Sequence, residues 1–141
     1  DINRDPIKIN DYDFIPLICY EIIYSGKINK SNKNYDFILN ISEDGWFGKS
    51  IGPYQHFSHS VFRSIEEGKP LIRSSNNGIS VFINPKGQVI DKNLTTDKGF
   101  IEITSFKKSN KTIFSSKGNK IFFYFLFIYI SLIFFFKTRE N

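Results

Sequence analysis

Cys19 is the only cysteine in the 141 residues, and it sits in the stretch LICYEIIYSG, directly after an apolar run and directly before Tyr20 and Glu21. A thiol is the most nucleophilic neutral side chain near neutral pH, and a neighbouring base or cation raises its thiolate fraction further. The chemistry open to such a residue is covalent catalysis, in which sulfur takes a group from one substrate and hands it to another. Glu21 is itself negative and does not hold the thiol as an anion. The alternative is that Cys19 fills space as a small apolar side chain at the end of a strand, and its position alone leaves both readings open. His56 and His59, one helical spacing apart, raise the question of a metal. No third ligand stands near them with suitable spacing, so no metal site is expected.

A nucleophile needs elements to present it. The run Phe14 to Ile18 leads straight into Cys19 and reads as a buried strand that ends at the cysteine. At the turn from a strand into a helix, a nucleophile projects clear of the sheet and the backbone N–H groups after it can stabilise an oxyanion. YDFILNIS, Tyr35 to Ser42, reads as a second strand, followed by the glycine-rich loop EDGWFGKSIGP closed by Pro53. From Tyr54 to Gly68, Phe57, Val61, Phe62 and Ile65 recur at spacings of three and four and predict a helix ending at Gly68. PLIRSS predicts a strand, GISVFINPKGQVID a hairpin turning at Pro85 to Gly87, and GFIEITSF a further strand. This order predicts a layered α/β or α+β sandwich.

The net charge of +5 would suit a nucleic-acid partner if it were spread over the domain. It is not: residues 1–106 hold 12 basic and 13 acidic residues, so the whole excess lies beyond Phe106. There Lys107, Lys108, Lys111, Lys117 and Lys120 precede the uncharged run IFFYFLFIYISLIFFF, Ile121 to Phe136, and Lys137 and Arg139 follow it. A basic strip beside an apolar run points to a membrane rather than to nucleic acid. Thirteen of the run's residues are Ile, Leu or Phe, which together favour insertion by about 4 to 8 kcal/mol. As a helix the run rises only about 24 Å against a hydrocarbon core of about 30 Å, so the flanking lysines must snorkel or the bilayer thin. The expected division is 1–106 for the catalytic layer, 107–120 for a basic linker, 121–136 for a transmembrane helix and 137–141 for a short tail.

Read together, CYE from Cys19, NISEDGWFGKSIGPYQH from Asn40 and RSSNNGIS from Arg73 resemble the apolipoprotein N-acyltransferases of bacterial envelopes. That resemblance covers nearly the whole chain. It implies a nitrilase-like catalytic domain, of the carbon–nitrogen hydrolase superfamily, held outside the inner membrane and followed by a final transmembrane helix. It also implies a two-step exchange: the cysteine takes an acyl chain from a phospholipid as a thioester and passes it to the amino-terminal cysteine amine of an apolipoprotein. No metal or cofactor is implied, and no nucleic acid. By position Cys19 matches the nucleophile, and Tyr20 and Glu21 match the adjacent residues that activity requires. The family's glutamate base and its lysine lie upstream of the cysteine, and residues 1–18 offer neither. The chain is therefore expected to be the carboxy-terminal portion of the enzyme, with an incomplete catalytic set and no activity by itself.

Other residues of these motifs carry two readings each. Trp46 and Phe47 form a lipid-facing flap or a hydrophobic plug. His56 orders the loop near the active site. Arg73, Ser74 and Asn76 line the substrate pocket or satisfy backbone groups at a tight turn. An amidase using the same cysteine, and a non-catalytic membrane-anchored remnant, are the alternative functions. Counting positive charges on the two sides of the apolar run would put the catalytic side in the cytoplasm, whereas the resemblance puts it in the periplasm.

Overall fold

The structure is a computed structural model that describes residues 4–26, 28–29, 31, 33–93 and 99–139. Six strands form one mixed sheet in chain order: β1 (Ile7–Ile9), β2 (Tyr12–Ile18), β3 (Phe37–Glu43), β4 (Leu71–Asn76), β5 (Ser80–Ile83) and β6 (Val89–Asn93). β2, β3 and β4 run parallel, and the flanking pairs are antiparallel. Pro16 is tolerated inside β2 because β1 pairs only as far as Phe14, leaving no partner there for the missing N–H. The parallel register sets Leu17, Asn40 and Arg73 in one row across the sheet.

The strand and helix expectations for residues 14–90 hold, with the hairpin partner β1 as an addition. One expected element does not. GFIEITSF, 99–106, forms no strand. Its Phe106 ring instead packs against Tyr12, Phe37 and Phe82, at centroid distances of 5.2, 5.5 and 6.3 Å. Ile101 and Ile103 line a cleft with Ile72, Ser74 and Val81. The segment lies across the sheet's face and binds through side chains, so its alternating apolar pattern serves packing rather than a backbone ladder.

The helix α1 (Gly52–Glu67) starts two residues before the expected position, with Pro53 in its first turn, and stops at Gly68, whose φ of 65° is the left-handed cap. Of its four periodic apolar residues, Phe57 and Val61 pack against the core. The residues it buries are Gly52, Pro53, His56, Ser60, Arg63, Ser64 and Glu67, while Phe62 and Ile65 remain 55% and 45% exposed. A polar stripe faces the sheet because the sheet positions beneath it are themselves polar: Asn40 and Arg73 are fully or almost fully buried on the same face as Ile15, Leu17, Ile38 and Leu71. Burying polar against polar costs little when the groups pair, and here they do.

Residues 107–120 are docked on the end of α1. The Ser109 hydroxyl donates to the Gly68 carbonyl, Lys69 donates to the Ser109 carbonyl, and Thr112 donates to the Glu66 carbonyl. Thr112 also caps the short helix α2 (Ile113–Lys117), accepting from the Ser115 N–H at 3.0 Å. The helix α3 (Lys120–Arg139) follows, with 20 residues, an 18-residue stretch of mean hydropathy 2.1, and none of it buried. By length and composition it can cross a membrane. At about 1.5 Å per residue it rises about 30 Å, so the shortfall expected for 121–136 closes once Lys120, Lys137 and Arg139 join the helix and extend their long side chains toward the interfaces.

Candidate functional site

β2 delivers Cys19 to the carboxyl edge of the parallel strands, where the chain turns at once into a single 3-10 turn, Cys19–Ile23. Cys19 has a φ of 47°, left-handed backbone that a residue with a Cβ adopts only at a cost. The structure thus places Cys19 on a sharp turn at the strand's end. Cys19 is half-buried, with Sγ 3.7 Å from the Ser42 hydroxyl and 4.0 Å from the Glu43 carbonyl oxygen.

A buried polar network lies behind the thiol. The Cys19 carbonyl accepts from the Asn40 amide at 3.3 Å and faces His56 Nε2 at 3.3 Å; Asn40 also donates to the Leu17 carbonyl at 3.1 Å. The Asn40 oxygen accepts in turn from Arg73. Arg73 spans both Asp44 oxygens at 3.0 and 2.8 Å, and Asp44 accepts from the Ser42 hydroxyl at 2.8 Å and meets His56 Nδ1 at 2.9 Å. Asn40, Asp44, His56 and Arg73 are all 2% exposed or less. Burial alone would raise the Asp44 carboxyl, but Ser42 and Arg73 outweigh it and hold it below its ordinary value. For Arg73 burial pushes downward, and Asp44 and the charge of a Cys19 thiolate pull it back up.

The sequence candidates separate into groups. Cys19, His56 and Arg73 meet in this network, and the Tyr20 ring lies over His56 at 5.1 Å and near Phe47 at 6.3 Å. Phe47 packs on His56 at 5.7 Å and against Gly52, where a Cβ would collide with its ring, so Phe47 is the plug. Trp46 is 89% exposed in the turn Gly45–Phe47, free of the core. Both oxygens of Glu21 are engaged, one by the Ile18 N–H at 2.8 Å and one by Arg4 at 2.5 Å, so this carboxylate braces the turn that Cys19 opens. Asn76, with Asn77 and the Gly45 N–H, holds the Glu43 carboxylate at the end of β3 and β4. Ser74 is exposed on the face away from α1. Of the three residues ending RSSN, only Arg73 reaches the thiol's network.

Asp44 and Asn40 are the participants that sequence reasoning missed. A signal for Asn40 existed: in FILNIS the alternation that buries Ile38 also buries position 40, and a polar residue on a buried face needs partners. Nothing in the loop EDGW distinguishes Asp44 from Glu43, which is held at the surface. Among the described residues no group of three or more His, Cys, Asp or Glu is placed to hold a metal.

Against known proteins, the sequence pattern of the carbon-nitrogen hydrolase family matches residues 4–105. An apolipoprotein N-acyltransferase of Wigglesworthia glossinidia brevipalpis is 40% identical over 140 residues, covering 99% of this chain and 28% of that protein. One of Rickettsia bellii is 43% identical over 121 residues, covering 82% of this chain and 24% of that protein. The chain thus spans about a quarter of the length of these relatives. Among solved structures, a mutant amidase from Nesterenkonia sp. AN1 with acrylamide added at its active-site cysteine superposes with a TM-score of 0.53 at 15% identity, over 67% of this chain and 40% of that one. A CN-hydrolase superfamily protein from Xanthomonas campestris, with an arsenic adduct in its active site, superposes with a TM-score of 0.51 at 14% identity, over 67% of this chain and 41% of that one.

Proposed function

Because this chain belongs to the carbon-nitrogen hydrolase family, we propose that Cys19 is the acyl-carrying nucleophile of a longer apolipoprotein N-acyltransferase. The observation that carries this reading is the left-handed Cys19 at the carboxyl end of β2, its carbonyl held from behind and its half-buried sulfur beside the Ser42 hydroxyl and the Glu43 carbonyl. The names of the relatives at 40% and 43% identity supply the acceptor class. In the first step the Cys19 sulfur attacks the ester carbonyl of a phospholipid, the ester C–O bond breaks, and a lysophospholipid leaves with the thiol's proton. In the second, the amino-terminal amine of an apolipoprotein attacks the thioester, the C–S bond breaks, an amide forms and the thiol is restored. Backbone N–H groups of the turn after Cys19 are suited to receive the oxyanion of each tetrahedral intermediate.

The described carboxylates nearest the thiol are committed elsewhere: Glu21 to Arg4 and Ile18, Glu43 to Asn76 and Asn77, and Asp44 to Arg73, Ser42 and His56. None of these three is proposed as the general base, a role for which the resemblance implies a glutamate upstream of the cysteine. Tyr20, next to Cys19 and 53% exposed, and Trp46, 89% exposed, offer aromatic surface suited to an acyl chain. α3 keeps that surface at a bilayer, which favours a lipid donor over the small amides of a hydrolase. The placement is the bacterial inner membrane with the catalytic face in the periplasm, so a reporter fused after Asn141 is expected in the cytoplasm.

The test is Cys19→Ser in the full-length enzyme. Serine keeps nearly the same volume, so folding is expected to persist while transfer to a lipopeptide falls by orders of magnitude. Wild-type protein given phospholipid and no acceptor gains one acyl mass on the Cys19 peptide, removable by neutral hydroxylamine. A Cys19→Ser enzyme that still acylates, with no adduct on the wild type, refutes the proposal. An adduct that water discharges as fast as a lipopeptide amine does would make the protein an amidase-like hydrolase instead.

A further inference from the structure

We propose that His56, backed by Asp44 and Arg73, is a positioning residue: its Nε2–H and the Asn40 amide together grip the Cys19 carbonyl and keep the nucleophile's backbone left-handed. The inference rests on reading Cys19 as the nucleophile. It concerns a different bond from any in the reaction itself.

The argument starts from the cost of the turn. A φ of 47° at a residue with a Cβ persists only where its surroundings over-determine it. Cys19 is followed by a single 3-10 turn, which gives its carbonyl no long helix to bond into. Two side-chain donors take that place, Asn40 Nδ2 and His56 Nε2, each at 3.3 Å. A carbonyl oxygen only accepts, so Nε2 must carry a hydrogen for this contact to be favourable. The other ring nitrogen, Nδ1, is then free to satisfy either of its two neighbours: it donates to Asp44 at 2.9 Å if the ring is a cation, or accepts from Arg73 at 3.1 Å if the ring is neutral. In both states Nε2–H points at Cys19. Among the described residues, the titratable and charged groups around His56 are Asp44 and Arg73 behind it, Cys19 and Tyr20 in front and His59 one turn further along α1.

The network also fixes where these donors can stand. Arg73 bonds Asn40 with one nitrogen and Asp44 with the other, so a single guanidinium sets the position of both donors to the Cys19 carbonyl. The Tyr20 and Phe47 rings, 5.1 and 5.7 Å from the imidazole, prevent it from swinging out. Arg4 and Glu21 brace the same turn on its outer side. Releasing the carbonyl lets Cys19 relax toward ordinary extended backbone and turns the thiol away from its presenting position.

Two substitutions at one position separate positioning from mere structure. In His56→Asn the amide sits where Nδ1 stood and can still pair with Asp44, yet it does not reach the Cys19 carbonyl. In His56→Gln the longer side chain carries its amide N–H to the place of Nε2. Both are made in the full-length protein in its membrane and read in two ways: the rate at which iodoacetamide alkylates the Cys19 peptide, followed by mass spectrometry, and kcat and KM for acyl transfer from phospholipid. Losing one donor to the carbonyl is expected to slow alkylation about tenfold in His56→Asn, with kcat falling to match and KM unmoved, and His56→Gln is expected to recover most of that loss. If the Asn variant reacts as fast as wild type, or if Asn and Gln are equally slow, the inference is overturned. Should His56→Asn fail to fold, Asn40→Ser removes the other donor and carries the same test, an unchanged alkylation rate overturning it. Alkylation needs no acyl donor, so the expected alkylation pattern in a protein that transfers no acyl chain would uphold the positioning role and refute the proposed function.

Discussion

Replacing Asp44 by leucine removes the carboxylate that four donor contacts converge on, and its cost can be worked from those contacts. Asp44 is 0% exposed; Arg73, at 1%, spends one of its terminal nitrogens on both Asp44 oxygens, and Ser42 and His56 point at Oδ1. Breaking a buried ion pair by deleting one member costs about 3–5 kcal/mol, because the other charge stays buried without compensation. Arg73 keeps its bonds to Asn40 and Ser60, which places the expectation near the middle, about 4 kcal/mol. For a domain of this size that lowers the unfolding midpoint by about 10–20 °C. The double variant Asp44→Leu, Arg73→Met removes the stranded charge along with its partner, and apolar residues of similar volume often replace a buried pair at little cost. It is expected to recover about 2–3 kcal/mol of the loss. The assay is calorimetric unfolding of the two single variants and the double, read as a mutant cycle. A shift below about 3 °C for Asp44→Leu, or a double variant less stable than the sum of its singles, would refute the account of Asp44 as the counter-charge that makes a buried Arg73 tolerable.

Acidification should act on the same group. Ser42 and Arg73 hold the Asp44 carboxyl below its ordinary value of 3.8 against the raising effect of burial, so its stabilisation is complete above that value and is lost as pH falls through the lower folded one. Ser42→Ala weakens the hold, and the acid-unfolding midpoint followed by circular dichroism is expected to move to higher pH; an unmoved midpoint counts against it. Gly68→Ala is expected to lower stability by more than the about 1–2 kcal/mol that left-handed backbone costs an alanine, because a Cβ there also stands 2.9 Å from the Asn110 carbonyl; a melting shift no larger than that strain alone produces would contradict this. In α3, Ile128→Lys places a charge mid-helix at a cost of about 3 kcal/mol, and the 141-residue chain carrying it should shift from the membrane pellet toward the soluble fraction on carbonate extraction, where full retention would argue against α3 as the anchor.

Much of the order of elements is legible because local patterning imposes it. The apolar run before Cys19, the alternation in FILNIS and the cap at Gly68 each reflect constraints a short segment carries by itself, and β2, β3 and α1 follow them. The uncharged stretch from Ile121 is equally self-contained, since insertion depends on summed side-chain transfer rather than on neighbours. The cysteine's place at a strand end is legible too.

What sequence could not carry is which side chains meet across elements. Of the apolar period of α1, Phe57 and Val61 pack against the core while Phe62 and Ile65 stay exposed, and the helix turns His56, Ser60, Arg63 and Ser64 inward, because the register of β3 and β4 sets Asn40 beside Arg73 and those groups need polar partners more than the core needs two more apolar ones. The same pairing decides between neighbours that look alike in sequence: Asp44 is buried under Arg73 while Glu43, one residue earlier, faces Asn76 and Asn77 at the surface. GFIEITSF has a strand's alternation, and it becomes a cover over Phe37 and Phe82 because its rings find packing on the sheet's face. Composition and period determine that a strand ends at a cysteine and that an apolar helix long enough to cross a membrane follows later in the chain. The backbone angle of that cysteine, and the two buried residues that face its carbonyl from 21 and 37 positions away, arise only when strand register brings distant polar groups into one dry space where they must find partners in one another.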